Sequence, residues 1–306
     1  MISFERILCP VDFSDSSKLA LAHAAAVADW YESRLTVMHV FSNIPVFDVA
    51  PALGATTLPP VVIKDIDRDA VLQALRTFAA PASSRVTTDV QLLESPDPRR
   101  EILNQAASLH ADLLVMGTHG RSGFDHLLLG SVTERVIRKA PCPVLIVPRH
   151  AAPAAPASAP PFKHIVCGVD FSPSSVRALS YALDLAQEAD ARISLLHVIE
   201  MPPELGEFPF SKDVNINGIR AAAEAEYLQR LRALIPAEAR EYCTVATQVS
   251  EGRANRELLR LAAEEKADLI VVGVQGRGAI DLLLFGSNTH AVIRGAACPV
   301  LTVPQA

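Results

Sequence analysis

The sequence predicts an α/β protein in which a doubly wound, five-stranded parallel-sheet unit occurs twice in tandem. Two observations support this fold class. Residues 4–14 (FERILCPVDFS) return with few changes as residues 162–172 (FKHIVCGVDFS), and residues 111–148 return as residues 267–304. In both halves, short apolar runs alternate with segments of helical composition, which is the pattern of parallel strands joined by crossover helices.

The first half contains five predicted strands and four predicted helices. Short runs rich in Val, Leu and Ile mark the strands, at residues 6–11, 34–40, 86–93, 113–116 and 144–147. Segments of good helix formers mark the helices, at residues 15–32, 66–79, 98–110 and 131–139. Ser14 is the expected N-cap of the first helix. Residues 41–63 hold four prolines and are predicted to form a long loop.

The second half repeats this order after a linker. Its strands are predicted at residues 164–169, 192–198, 244–250, 269–272 and 300–303. Residues 150–161 (HAAPAAPASAPP) alternate Ala and Pro, a composition that prevents a helix and gives an extended, semi-rigid spacer. We therefore expect one domain at residues 1–149 and a second at residues 162–306, with residues 150–161 as the linker.

Composition excludes several classes of function. The chain has 306 residues with 34 acidic and 28 basic side chains, a net charge of −6, so an overall basic field for nucleic acid is absent. No apolar run approaches the ~20 residues that span a bilayer, and the first residues lack the pattern of a signal peptide. Five cysteines in a chain of this length do not form a disulfide framework. The sequence predicts a cytoplasmic protein without nucleic-acid or membrane partners.

A glycine motif follows the fourth strand of each half. Gly117, Gly120, Gly130 and Ser131 fit the pattern Gly-x2-Gly-x9-Gly-Ser, and Gly273, Gly276, Gly286 and Ser287 repeat it. Glycines let backbone N–H groups approach a phosphate, and the helix that follows offers free N–H groups and the positive end of its dipole. The hydroxyls of Ser131 and Thr133, like those of Ser287 and Thr289, would add donors. The alternative is that these glycines form turns and the serine caps a helix.

The end of the first strand carries an aspartate instead of a phosphate loop. Neither a Walker motif nor a Gly-x-Gly-x-x-Gly turn after strand one occurs in the sequence. Asp12 and Asp170 suit hydrogen bonding to a base or sugar, or else serve as turn residues before the first helix. His39 and His197 are expected to be packed or hydrogen-bonded and not catalytic. No metal-ligand spacing is present, so no structural metal and no catalytic residue is predicted.

These motifs occur in a combination that is typical of one family. Val-Asp-Phe-Ser after strand one, His-Val ending strand two, the glycine motif, and Cys-Pro-Val-Leu-x-Val-Pro at the end of each half resemble the universal stress protein family. Because the match covers both halves, the chain is similar to a tandem-type member. The resemblance implies a sheet ordered 3-2-1-4-5 and an adenine-nucleotide site holding ATP. Mg²⁺ is a cation that could accompany the nucleotide phosphates.

The resemblance also implies which residues contact the nucleotide. In the first copy it implies adenine contacts from Asp12 and Val40, ribose contacts from Met116 and Gly117, and phosphate contacts from Gly120, Gly130, Ser131, Val132 and Thr133. The matching residues of the second copy are Asp170, Val198, Val272, Gly273, Gly276, Gly286, Ser287, Asn288 and Thr289. Asn288 departs from the usual apolar residue at its position, which a backbone contact would tolerate.

The resemblance further implies that the fifth strands pair edge to edge. Residues 144–147 and 300–303 would then meet as an intramolecular pseudo-dimer, and a homodimer is a further arrangement. Our leading hypothesis is an ATP-binding stress-response protein that acts on an unidentified protein partner, with slow or no hydrolysis. A slow ATPase or nucleotide hydrolase using the same site is the first alternative. A stress scaffold that binds no nucleotide is the second.

Overall fold

The structure is a computed structural model that describes residues 2–41, 67–118, 129–200, 216–274 and 286–305. The strands of the first half are β1 (Arg6–Pro10), β2 (Arg34–Phe41), β3 (Thr88–Glu94), β4 (Leu113–Gly117) and β5 (Val144–Val147). Those of the second half are β6 (His164–Gly168), β7 (Arg192–Ile199), β8 (Val245–Glu251), β9 (Leu269–Gly273) and β10 (Val300–Val303). Every predicted strand is therefore present, with its ends shifted by two residues at most.

Nine helices lie in the described parts of the chain. The first half contributes α1 (Asp15–Trp30), α2 (Arg68–Ser83), α3 (Pro98–Ser108) and α4 (Ser131–Lys139). The second half contributes α5 (Pro173–Ala189), α6 (Ile216–Ala233), α7 (Ala239–Tyr242), α8 (Ala254–Glu264) and α9 (Ser287–Gly295). None of them is long and apolar enough to cross a membrane. The loop predicted at residues 41–63 lies almost wholly outside the described residues.

The predicted end of α2 was wrong. The sequence prediction stopped this helix at Ala79, before Pro81, whereas the helix continues to Ser83. Proline has no backbone N–H and so leaves one helical hydrogen bond unmade. Because Pro81 lies in the last turn of α2, this loss affects only the end of the helix. The N–H of Ser84 still donates to the carbonyl oxygen of Ala80 over 3.2 Å, which closes the helix beyond the proline.

The ten strands form one sheet, in the order β3-β2-β1-β4-β5-β10-β9-β6-β7-β8. Within each half all pairings are parallel, and β1 lies between β2 and β4 as β6 lies between β7 and β9. This confirms the expected order 3-2-1-4-5. The chain first winds outward from β1 to β3 and then returns to β4 on the other side, so the direction of winding reverses between β1 and β4.

The two halves join through their fifth strands. β5 and β10 are antiparallel, with Val144 opposite Thr302 and Ile146 opposite Val300. The hydroxyl of Thr302 donates to the carbonyl oxygen of Val144 over 3.1 Å, and all residues of both strands are buried. The expected edge-to-edge contact is thus present within one chain. Each strand covers an apolar edge that would otherwise be open to another sheet.

Both faces of the sheet are covered by helices. One apolar core includes buried side chains of α1, α2, α5 and α6, such as Leu21 and Leu75. The other includes buried side chains of α3, α4, α8 and α9, such as Ile102 and Val136. This is the doubly wound arrangement that the alternation of strands and helices predicted. In sheets of this kind, ligands bind at the carboxyl ends of the parallel strands.

Candidate functional site

The candidate site of each half lies where the winding of the sheet reverses. In the first half, Asp12 follows β1, Gly117 ends β4 and Ser131 begins α4. In the second half, Asp170, Gly273 and Ser287 hold the same places. Gly120 and Gly276, the middle glycines of the two motifs, lie outside the described residues, so the phosphate contacts expected of them stay predictions.

The first glycine of the motif is required by helix packing. A Cβ on Gly117 would lie 3.0 Å from backbone atoms of Ser16 and closer still to its hydroxyl. A Cβ on Gly273 would lie 2.6 Å from Oγ of Ser174 and 2.8 Å from backbone atoms there. Real Cβ atoms do not approach other atoms so closely, and so the first turns of α1 and α5 could not pack on β4 and β9. The turn-and-packing interpretation therefore accounts for this glycine.

The third glycine is the N-cap of the helix that follows, and a glycine has no side chain with which to cap it. Gly130 and Gly286 are the N-caps of α4 and α9, and neither helix has a side-chain cap hydrogen bond. By contrast, side chains of Ser14, Asp67, Asp97 and Ser172 cap α1, α2, α3 and α5. The first bond within α4 runs from the N–H of Glu134 to the carbonyl oxygen of Gly130. The three N–H groups before it, those of residues 131–133, have no acceptor inside the helix.

The start of each uncapped helix is held against the end of the fourth strand. The hydroxyl of Thr133 donates to the carbonyl oxygen of Gly117 over 3.0 Å, and that of Thr289 donates to Gly273 over the same distance. The N–H of Gly130 also donates to the carbonyl oxygen of Thr118. Each hydroxyl has one proton and directs it to this carbonyl oxygen, so the phosphate contact expected of the hydroxyl stays a prediction. The backbone N–H groups are what the threonines can offer an anion.

The aspartate after the first strand forms a tight turn. Oδ1 of Asp12 accepts hydrogen bonds from the backbone N–H and the hydroxyl of Ser14, over 3.1 and 2.6 Å. Phe13, between them, has φ of 65°, a conformation that bulky residues rarely adopt. Asp170 and Phe171 repeat this turn, with φ of 61° at the phenylalanine. Both aspartates therefore have the turn role that the sequence offered as one of their two interpretations.

The histidines at the end of the second strands are packed. Nδ1 of His39 lies 2.7 Å from the carbonyl oxygen of Val11, and Nδ1 of His197 lies 2.7 Å from that of Val169. The ring of Phe13 lies 4.5 Å from the ring of His39. Because Nδ1 carries its proton toward a carbonyl oxygen, each ring is held as part of the wall. The expected structural role is confirmed.

The apolar residues expected near the nucleotide differ in what they expose. Met116 and Val272 are buried in the core on one face of the sheet, so a ribose could meet their backbone but not their side chains. Val40 and Val198 are half-buried and pack against the same core. Their partly open side chains leave an apolar surface beside the strand ends.

One buried polar atom at the first site has no hydrogen-bond partner among the described residues. This atom is Oγ of Ser16, which lies against Gly117. A buried hydroxyl that makes no hydrogen bond costs roughly 1–3 kcal/mol, and such groups call for a partner such as a ligand or water. Ser16 was not singled out from the sequence, because serines near helix starts are common.

The described residues offer little for nucleophilic chemistry. All five cysteines are buried and free, and burial raises the thiol pKa of Cys9, Cys142, Cys167 and Cys298 to about 12. Those thiols stay protonated and unreactive at neutral pH. Among the residues that the structure describes, no group of three or more His, Cys, Asp or Glu side chains could hold a metal ion.

At the amino ends of β6 and β7, a serine, a histidine and a glutamate lie in contact without forming a catalytic triad. Nε2 of His164 lies 2.8 Å from the carboxylate of Glu265, and the hydroxyl of Ser194 donates to that carboxylate over 2.6 Å. Nδ1 of the same histidine lies 2.8 Å from the backbone carbonyl of Glu265. The serine proton therefore points to the acid and not to the base that a nucleophile needs. This cluster ties β6, β7 and α8 together.

Comparison with known proteins assigns the family. The model of the universal stress protein family matches the chain twice, at residues 3–148 and 161–304. The chain belongs to the universal stress protein family. The two matches show a tandem member with two universal stress protein domains. They confirm the family that the sequence motifs indicated.

Relatives match both the whole chain and single halves. A universal stress protein of Mycobacterium tuberculosis is 30% identical over 308 residues. The match covers 98% of the present chain and 97% of the mycobacterial protein. One from Methanocaldococcus jannaschii is 36% identical over 144 residues, covering 47% of this chain and 82% of its own. The crystal structure of a universal stress protein from Archaeoglobus fulgidus shares the fold, with a TM-score of 0.64 at 21% identity over 98% of both chains.

Proposed function

We propose that this universal stress protein binds ATP at the start of α4 or α9 and acts as a nucleotide-dependent regulatory module. One observation supports this proposal most strongly. The two helices that follow the glycine motif begin at a glycine without a side-chain cap, whereas α1, α2, α3 and α5 are capped by Ser or Asp. The N-cap residues of α7 and α8 also give no side-chain cap, but Glu200 caps the start of α8 and α7 is a single turn. An uncapped helix start at the reversal point of a doubly wound sheet is an anion site of known physical basis.

The residues of the first site fit an adenine nucleotide. The N–H groups of Ser131, Val132 and Thr133 would hold phosphate oxygens, aided by the dipole of α4. Ser16, whose hydroxyl is otherwise unpartnered among the described residues, would lie close to the sugar and phosphates. The half-buried Val40 would meet the base. Mg²⁺, when bound with the phosphates, would supply charge neutralisation.

The site favours binding over hydrolysis. The sequence has no P-loop lysine to stabilise charge on a transferred phosphoryl group. His39, which lies near the carboxyl end of β2, directs Nδ1 to the carbonyl oxygen of Val11. We therefore propose slow or no hydrolysis, with nucleotide occupancy setting the conformation that a protein partner meets.

Replacing the N-cap glycines tests the proposal. Gly130 and Gly286 have φ of −57°, so an L residue fits both positions. In the double variant Gly130→Asp, Gly286→Asp, each carboxylate would cap its own helix and occupy the N–H groups proposed for phosphate. We expect this variant to lose ATP binding in equilibrium titration by at least about tenfold, since it places a like charge there.

The control is the double variant Gly130→Ala, Gly286→Ala, which adds a Cβ without a charge or a cap. It should retain ATP binding if the site is built from backbone N–H groups. AMP and cAMP are the competitors to titrate, the latter being the ligand of one solved universal stress protein. Unchanged ATP affinity in the aspartate variant would reject the helix-start site.

A further inference from the structure

We infer that the two nucleotide sites are unequal, because the carboxylate of Glu200 opposes phosphate binding at the second site. This inference rests on the proposed function. Glu200 directly follows β7, at the same strand ends as the motif of the second half. If Glu200 weakens the second site, the site of the first half is the principal ATP site of the chain.

One oxygen of Glu200 bridges two helix starts. Oε1 accepts a hydrogen bond from the backbone N–H of Ala254, the first residue of α8, over 2.9 Å. The same atom accepts a hydrogen bond from Nδ2 of Asn288, the second residue of α9, over 3.3 Å. A negative charge is thereby held next to the helix start that would bind phosphate.

A change at the start of α8 explains why the glutamate lies there. In the first half, Asp97 is the N-cap of α3 and accepts from the N–H groups of Arg99 and Arg100. The matching residue of the second half is Arg253, whose side chain cannot accept a hydrogen bond, and α8 has no side-chain cap from its own N-cap residue. Glu200 supplies the missing acceptor from the end of β7.

The first copy lacks both partners of this contact. At the position of Asn288 it has Val132, which packs against the apolar core and offers no donor from its side chain. At the position of Glu200 its sequence has Ser42, which carries no charge. The departure at Asn288, which looked harmless for a backbone contact, therefore gains a consequence. Its amide directs a carboxylate toward the second site.

A carboxylate hydrogen-bonded to the side chain of Asn288, the second residue of α9, repels a polyanion bound at that helix start. The repulsion is moderated by solvent, since Glu200 is exposed. We expect ATP to bind the second site at least about tenfold more weakly than the first, which corresponds to about 1.4 kcal/mol.

The test is the variant Glu200→Gln in the full chain. The glutamine amide oxygen can still accept from Ala254 and Asn288, so the cap on α8 survives while the charge is removed. ATP binding is titrated calorimetrically, with and without Mg²⁺, for the wild-type chain, Glu200→Gln and Gly130→Asp. Glu241→Gln is the matched control, because Glu241 is exposed on α7, which leads into the opposite end of β8.

The expected wild-type result is one strong and one weaker site. Glu200→Gln should strengthen the weaker site about tenfold, Gly130→Asp should remove the strong one, and Glu241→Gln should change neither. Two equal sites in the wild-type chain would overturn the inference and leave the proposed function standing. The inference would also be overturned if, with Mg²⁺ present, Glu200→Gln bound ATP at the second site more weakly than the wild-type chain does. The carboxylate would then help to hold the metal ion and would not oppose the phosphates. No ATP binding in any form would reject the proposed function itself.

Discussion

At the scale of single residues, the glycine motif divides into positions with different physical causes. Gly117 and Gly273 are needed because helices pack on them, and this would hold with or without a ligand. Gly130 and Gly286 lie at helix starts where a larger residue fits the backbone, so a glycine there leaves N–H groups open. The sequence pattern alone treats these glycines alike, and the contacts of their neighbours separate them.

This division predicts different effects on stability. Gly273→Ala should lower the free energy of unfolding by about 1–3 kcal/mol, because its Cβ would overlap the backbone of α5. Gly168→Ala is the control, since its Cβ would meet movable side-chain atoms of Leu258 at 3.3 and 3.6 Å. Its effect should stay below about 1 kcal/mol. Denaturant unfolding of both variants measures the difference, and equal effects would contradict the packing role.

At the scale of elements, the starts of α4 and α9 are places where a side-chain cap and a bound phosphate would use the same backbone N–H groups. Asp at positions 130 and 286 should stabilise the ligand-free protein by about 0.5 kcal/mol, because a carboxylate caps a helix and complements its dipole. Thermal unfolding of the double variant without nucleotide checks this gain. A large loss of stability would mean that both positions require glycine for the fold.

The same variant should lose the stabilisation that ATP gives. A ligand present at 100 times its dissociation constant raises stability by about 2.7 kcal/mol. We expect the thermal midpoint of the wild-type chain to rise with ATP and that of the aspartate variant to stay constant. An equal rise in both proteins would place the nucleotide elsewhere.

Elements of the fold were predictable from sequence because their signals are local. Apolar runs such as Val144–Val147 and caps such as Ser14 follow from a few neighbouring residues, and the structure confirms both. The direction of the Thr133 hydroxyl toward Gly117 was not predictable, since it depends on how α4 docks on β4. Nor was the bridge from Glu200 to Asn288, which joins residues far apart in the chain.

At the scale of the whole molecule, the antiparallel pairing of β5 with β10 sets how the two sites are arranged. The strands of the first half run in the opposite direction to those of the second half. The carboxyl ends of the two sets therefore point in opposite directions along the strands. Each site is therefore built within its own half and can diverge without disturbing the other. The two halves share the sheet order and the glycine helix starts, and they differ at residues 200, 253 and 288 around the second site.

The measurement that tests the central claim most directly is mass spectrometry of nucleotide released by denaturing the dialysed protein. The wild-type chain and the Gly130→Asp variant are first equilibrated with ATP near the affinity of the stronger site. A site is half-filled at its own dissociation constant, so the account predicts roughly half an adenine nucleotide per wild-type chain, and far less from the variant. Equal amounts from both proteins, or none from the wild-type chain, would contradict it.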